Sequence, residues 1–197
     1  MGGEAAVDRA EVEAKVLASL GAGDFSVAAG QIVRGFGAEL YGWLSAVLGP
    51  SDAADVFGAF EEELLRSLPS FRAETSARSW SYLIAKSCAR KHARSELRRR
   101  LRMTPLDNHS SVLERATPSA SSNQASTLDR LRQFRAALPQ DDQDLLILRV
   151  DRGFSFNEVA GILLGERATA QQIERESARL RKRLEAIRKA ARLELGA

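Results

Sequence analysis

The sequence predicts an all-α protein: two small helical domains joined by a flexible linker, the second containing a helix-turn-helix. Three observations carry this. Apolar residues recur at steps of three and four through most of the chain, the spacing of a buried helix face. Capping and stop residues punctuate those runs. Residues 103–126, MTPLDNHSSVLERATPSASSNQAS, are rich in Ser, Thr and Pro without periodicity, which marks a linker long enough to let two domains sit apart.

Residues 1–25 read as an N-terminal helical extension. Asp8 and Glu11 resemble a capping box for a helix whose face is Val12, Val16, Leu17 and Leu20, ended by Gly21 and Gly23. The first domain spans 26–102. A helix from Ser26 to Leu48 turns Ile32, Phe36, Leu40, Trp43, Leu44 and Val47 inward; its glycines, Gly30, Gly35, Gly37 and Gly42, suggest close packing or an irregular helix. Gly49-Pro50 stops it, and Ser51 or Asp52 caps the next, which buries Val56, Phe57, Phe60, Leu64, Leu65 and Leu68 and shows Glu61, Glu62 and Glu63 to solvent.

The stretch around which the domain is organised follows: FRAETSARSWSYLIAKSCARKHARSELRRRLR, residues 71–102. Trp80, Ile84 and Cys88 form one apolar line; Ala85, Ala89, Ala93, Leu97 and Leu101 form another. Beside them runs a basic ridge of Lys86, Arg90, Arg94, Arg98 and Arg102, with Lys91, Arg99 and Arg100. Between 86 and 102 stand eight Lys/Arg and one acid, a local charge of +7 in a chain whose total is +3, so the remainder carries −4. Charge concentrated in this way on a helix with an aromatic at its start points to a nucleic-acid surface; the competing reading is a solvated cationic helix.

The second domain spans 127–197. Leu128, Leu131, Phe134 and Leu138 mark one helix, closed by Pro139. Asp141 or Asp142 caps another, with Leu145, Leu146, Leu148 and Val150 inward and Gly153 as its stop. Ser155 and Glu158 form a capping box for FNEVAGILL, which ends at Gly165, and Thr169 and Gln172 form one for the last helix. The seam of that helix is Ile173, Ser177, Leu180, Leu184, Ile187, Ala191 and Leu195. A short helix, a turn and a longer basic helix is the pattern that places its second helix in a DNA major groove, although any small bundle contains such pairs.

Composition narrows the chemistry. A hydrophobic content of 44% supports packed cores, and no run approaches the roughly 20 apolar residues of a membrane span. The acidic N-terminus does not read as a signal peptide, so a cytoplasmic protein is expected. One cysteine excludes a disulfide framework, and with only His92 and His109 beside it no metal site is expected. Cys88, on an apolar line, reads as a buried structural thiol. The phosphate-loop, dinucleotide and zinc-protease motifs are absent, and Glu61, Glu62 and Glu63 fan around a helix instead of converging, so neither an enzyme nor a cofactor is expected.

Residues 34–184 resemble the bacterial sigma-70 superfamily of RNA polymerase sigma factors, in particular its short extracytoplasmic-function group. LGPSDAADV is similar to the family's Ala-Glu-Asp segment, and LPSFRAETSARSWSYLIAKSCARKHAR to its Phe-Arg, loop, Trp-Leu-Tyr-x-Ile-Ala-x-Asn stretch with a basic end. ALPQDDQDLLILRVDRGFSFNEVA looks like its "LP…R…L.L…G.S..EIA" start, and RLRKRL at 179–184 like its closing RARKRL.

The resemblance implies core RNA polymerase and promoter DNA as partners in transcription initiation, with an anti-sigma factor as an optional third. It implies −10 melting by the first domain, with unstacked bases held by the loop Arg72–Ser79 (Ser76 and Arg78 included) and Ser87 at the family's Asn position. Trp80 would stack a base or, as the family's core Trp, pack beneath the loop. Lys86, Arg90, Lys91, Arg94 and Arg98 would hold phosphates. The helix after Thr169 would enter the −35 groove with Gln171, Gln172, Arg175 and Arg179. Asp55, Gly58, Ala59, Glu61 and Glu62 would face the polymerase.

The chain departs from the pattern at Gly58-Ala59, where the family has Gln-Glu, at Ser87, and in a turn between Ala160 and Ile173 about three residues longer than usual. Glu174 and Glu176 flank the recognition helix start, where phosphate is repelled. The last helix runs about ten residues past the family's usual end, as a frayed tail or a partner surface. The alternatives are a stand-alone helix-turn-helix regulator and a sigma-like adaptor or decoy without promoter function.

Overall fold

The computed structural model describes residues 8–102 and 127–195; the linker 103–126, with His109, and the side chains of Arg100, Thr127, Leu128 and Leu195 lie outside what it describes. Among the described residues every regular element is helical, and none is long and apolar enough to cross a membrane.

Helix α1 (Arg9–Gly21) begins where the Asp8 carboxylate accepts the N–H groups of Ala10 and Glu11, at 3.0 and 3.4 Å. The box does not close, because Glu11 pairs with Lys15 at 2.5 Å instead. Val16 is fully buried and Val12 and Leu20 pack beside it, while Leu17, expected on the same face, is 46% exposed. Asp24 caps helix α2 (Phe25–Leu48), which buries Ile32, Phe36, Leu40, Trp43 and Leu44. The many glycines of α2 have one clear packing reason: a Cβ on Gly35 would sit 2.6 Å from a Val12 methyl, so this position lets α1 lie against α2.

Gly49, at φ +88°, turns the chain into helix α3 (Pro50–Ser67). Neither Ser51 nor Asp52 caps it. Pro50 occupies the first turn, which needs no N–H partner there, and Asp52 reaches His92 at 3.4 Å. Ala53, Val56, Phe60 and Leu64 face inward; Leu65 does not, at 49% exposure. A short 3₁₀ turn, Leu68–Ser70, leads to helix α4 (Ala77–Arg102).

Along α4 the two apolar lines part company with the core. Trp80, Ile84, Ala85, Cys88 and Ala89 are buried, whereas Ala93 is exposed and Leu97 and Leu101 stand 59% and 70% exposed. A strict step of four overshoots a 3.6-residue turn by about 40°, so such a line winds off the face it starts on. The last turns of α4 therefore project from the bundle.

In the second unit, helix α5 (Thr127–Ala137) packs on helix α8 (Ala170–Leu195), with Phe134 buried. Helix α6 (Gln140–Leu146) starts at Pro139 without a side-chain cap. Asp142, an expected cap, is buried and pairs with Arg183 of α8. Beyond Leu146 the helix widens into a π turn over Ile147–Asp151, seen in the 2.9 Å bond from the Arg152 N–H to the Ile147 carbonyl. That change of phase leaves Leu148 buried and turns Val150, expected inward, 52% exposed. Helix α7 (Phe156–Leu164) ends at Gly165, φ +95°. The far end of α8 is not frayed: Ile187 is buried, Ala191 packs against the core, and Arg130 of α5 donates to the Glu194 carbonyl.

Both expected helical units are present, and they do not sit apart. Helix α4 packs on α7, and buried residues of both units join one apolar cluster.

Candidate nucleic-acid interface

The start of α4 is closed by two groups. The Ser76 hydroxyl oxygen accepts the Ser79 N–H at 3.0 Å, and the Glu13 carboxylate of α1 accepts the N–H groups of Ala77 and Arg78 at 2.8 and 2.9 Å. An anion already occupies the positive end of this helix. Glu13 carries no signal in the sequence, because its partners lie more than sixty positions away.

From there one ridge steps by four along α4: Arg78, Tyr82, Lys86, Arg90, Arg94, Arg98 and Arg102. Its first half meets the second unit. Arg78, 6% exposed, is held in two bonds by Glu39 of α2 (2.6 and 3.0 Å), donates to the Arg152 carbonyl at 2.9 Å, and lies 3.9 Å from the centre of the Phe154 ring. Ser79 donates to Glu158 at 2.8 Å. Tyr82 meets Phe154 edge-on, and burial, then the Glu39 charge, push its phenol far above the ordinary range. Lys86 stands 3.6 Å from Asp144; burial lowers its pKa, and Asp144 only partly offsets this. Arg90 is exposed yet donates to the Leu163 carbonyl at 3.2 Å.

The residues expected at the −10 surface fall into different environments. Arg78, Ser79 and Lys86 are buried; Arg78 and Ser79 donate to protein acceptors, and Lys86 faces the Asp144 carboxylate. Trp80 packs on Phe71, ring centres 4.7 Å apart, with 7% of its surface exposed; of its two expected roles the structure displays the core one. Arg72 and Ser87 are exposed.

The second half of the ridge, wound away from the second unit, is open. Arg94 and Arg98 are exposed and make no ion pair among the described residues. Lys91 lies 3.6 Å from Glu63 and Arg99 3.1 Å from Glu96, both pairs at the surface where such contacts are weak. Ser95, Arg98, Arg99 and Arg102 border an open cleft of about 490 Å³.

The helix-turn-helix is assembled as its capping residues imply. Ser155 and Glu158 exchange bonds at the start of α7. The Thr169 hydroxyl accepts the Gln172 N–H, and the Gln172 side chain accepts the Thr169 N–H at 2.8 Å. Thr169 and Gln172 are thereby engaged in the cap. Gln171 and Arg175 are exposed, and Arg179 is exposed beside Glu176 at 3.4 Å. Between the loop 70–76 and the α7–α8 turn lies a cleft of about 630 Å³, whose walls include Arg72, Trp80, Glu158 and Ile173. The loop and the start of α8 therefore open onto the same space.

On α3, Asp55, Gly58, Ala59 and Glu62 are exposed at the spacing of one face, with Glu61 exposed beside them. No atom comes within 4 Å of a Cβ placed on Gly58. Among the described residues no cluster of His, Cys, Asp or Glu could hold a metal ion, and burial raises the Cys88 thiol above its ordinary value, which disfavours thiolate chemistry. No protein-family model matches the chain, and neither does any curated protein.

Proposed function

We propose that the chain is an RNA polymerase sigma factor of the extracytoplasmic-function type, acting in the cytoplasm without catalysis of its own. The observation that carries this reading is the open end of α4. Arg94, Arg98 and Arg102 continue a single ridge, joined by exposed Lys91 and Arg99, and few acids face them. A capped helix-turn-helix with exposed Gln171 and Arg175 follows in the order the sigma-like motifs require. In this reading the open ridge tracks the DNA backbone, α8 enters the −35 groove, and the outer face of α3 meets the polymerase. Pull-down with core RNA polymerase followed by run-off transcription tests it; a chain that does not bind core enzyme is not a sigma factor.

A second reading, the adaptor or decoy, is favoured by the burial of Arg78, Ser79 and Lys86, three residues that a promoter-melting surface would expose. It predicts core binding without run-off product.

A further inference from the structure

The cleft of about 630 Å³ between the loop 70–76 and the α7–α8 turn differs in charge from the ridge beside it. Three carboxylates border it, Glu74, Glu158 and Glu166, against one guanidinium, Arg72, in a chain whose total charge is +3. Glu158 is engaged by Ser79 and by the cap of α7. Glu74 and Glu166 are exposed, one from each unit, and neither takes part in an ion pair among the described residues. Both units also supply apolar wall. Phe71 and Trp80 lie ring against ring on one side, and Ile162 and Ile173 come from α7 and α8 on the other. Between Arg72 and Glu74 the chain passes through Ala73 at φ +55°, a left-handed conformation that a residue with a Cβ adopts at a cost. The path of the loop is therefore set by its surroundings and not by local preference.

A cavity of this size at the junction of two units, with an apolar wall and a few charged groups, has the character of a small-molecule site. The excess of carboxylate repels phosphate, carboxylate and a nucleic-acid backbone, and favours a cation. The rings suit a ligand with an apolar body, because an ammonium group is attracted by an aromatic face as well as by carboxylates.

We propose that this cleft binds a small organic amine, its ammonium group held by Glu74 and Glu166 and its ring resting on Phe71, Trp80 and Ile173. Such a site goes beyond the sigma-type reading and does not depend on polymerase binding. An amine held by residues of both units links the loop to the α7–α8 turn, so the melting temperature rises as amine is added.

The test is a titration of the full chain with 2-phenylethylamine, followed by NMR at the indole N–H signals of its two tryptophans, Trp43 and Trp80. The comparisons are 3-phenylpropionate, which has a ring and the opposite charge, and putrescine, a diamine without a ring. Saturable binding of phenylethylamine should shift the Trp80 signal and leave that of the buried Trp43 in place. The carboxylate should bind about tenfold more weakly, and Glu74→Gln/Glu166→Gln should weaken the amine about fivefold, as expected for two exposed ion pairs. Gly161→Phe, at a cleft position where an added Cβ meets nothing within 4 Å, fills the space from α7 and should abolish binding. If circular dichroism shows that variant unfolded, the Trp80 signal and the Glu74→Gln/Glu166→Gln chain locate the site. Equal binding of amine and carboxylate, tighter binding of putrescine than of phenylethylamine, an unmoved Trp80 signal, or binding that survives a folded Gly161→Phe overturns the amine site. Each of these outcomes leaves the core-polymerase pull-down unchanged, so the two readings fail separately.

Discussion

Two glycines inside helices should respond in opposite directions to the same substitution. Ala is favoured over Gly in a helix interior by about 1 kcal/mol. At Gly58 nothing lies within 4 Å of an added Cβ, so Gly58→Ala should realise that gain in full. At Gly35 the new Cβ would meet the two Val12 methyls at 2.6 and 2.9 Å and the Val12 Cβ at 3.3 Å, inside ordinary carbon contact. Val12 is β-branched and stiff in a helix, so it cannot swing aside, and α1 must shift. Overpacking of this kind costs about 1–3 kcal/mol, which after the helical gain leaves a net loss of about 1 kcal/mol. The two variants should then differ by about 2 kcal/mol, or roughly 4–8 °C in Tm for a chain of this size. Thermal unfolding followed by circular dichroism measures this. Because Glu13 follows Val12 on α1, Gly35→Ala should also speed hydrogen exchange at the Ala77 and Arg78 amides that Glu13 caps. A Gly35→Ala chain that melts with or above Gly58→Ala refutes the close packing of α1 on α2.

Other outcomes follow from the ridge and its surroundings. Single-strand binding through four phosphate contacts should weaken about 50-fold between 50 and 200 mM salt, and Arg94→Ala/Arg98→Ala should lower the logarithmic salt slope by about 1.4. Burial raises the Glu158 carboxyl, but bonds from Ser155 and Ser79 and the charge of Arg78 outweigh it, holding the group below its usual 4.5. Its folded pKa is depressed, so its stabilisation is present above pH 4.5 and lost as pH falls through the folded value. Denaturant unfolding as a function of pH should show a smaller acid loss for Glu158→Gln than for wild type. Ile187→Ala should cost about 2–3 kcal/mol in urea unfolding, since Ile187 is only 6% exposed; a change near zero would mean the end of α8 is not packed on α5.

The elements were legible wherever their cause is local. Asp8, Gly49-Pro50, Ser155 with Glu158, Gly165 and Thr169 with Gln172 act on backbone groups within a few residues, and all punctuate helices as their chemistry dictates. Expectation and structure differ where local helical phase is disturbed or winds off its face. A regular helix would turn Val150 inward, but a π turn interrupts it, and the step of four that carries Leu97 and Leu101 winds off the buried face. Asp142 sits at the start of its helix as a cap would, but Arg183 offers it a full charge from another helix.

The candidate site divides along the same line. Sequence alone determined that α4 is a helix, that it carries a concentrated positive charge on one ridge, and that a capped helix-turn-helix follows it. Periodicity, capping and charge count need no knowledge of what packs where. Only the tertiary structure decided which half of the ridge is open. Glu13 reaches α4 across 64 positions and Glu158 across 79, contacts that exist only once helices dock. A lysine such as Lys86 looks the same in sequence whether it faces water or Asp144. Docking settles that difference, because an ion pair at 3.6 Å depends on two helices meeting and not on either helix alone.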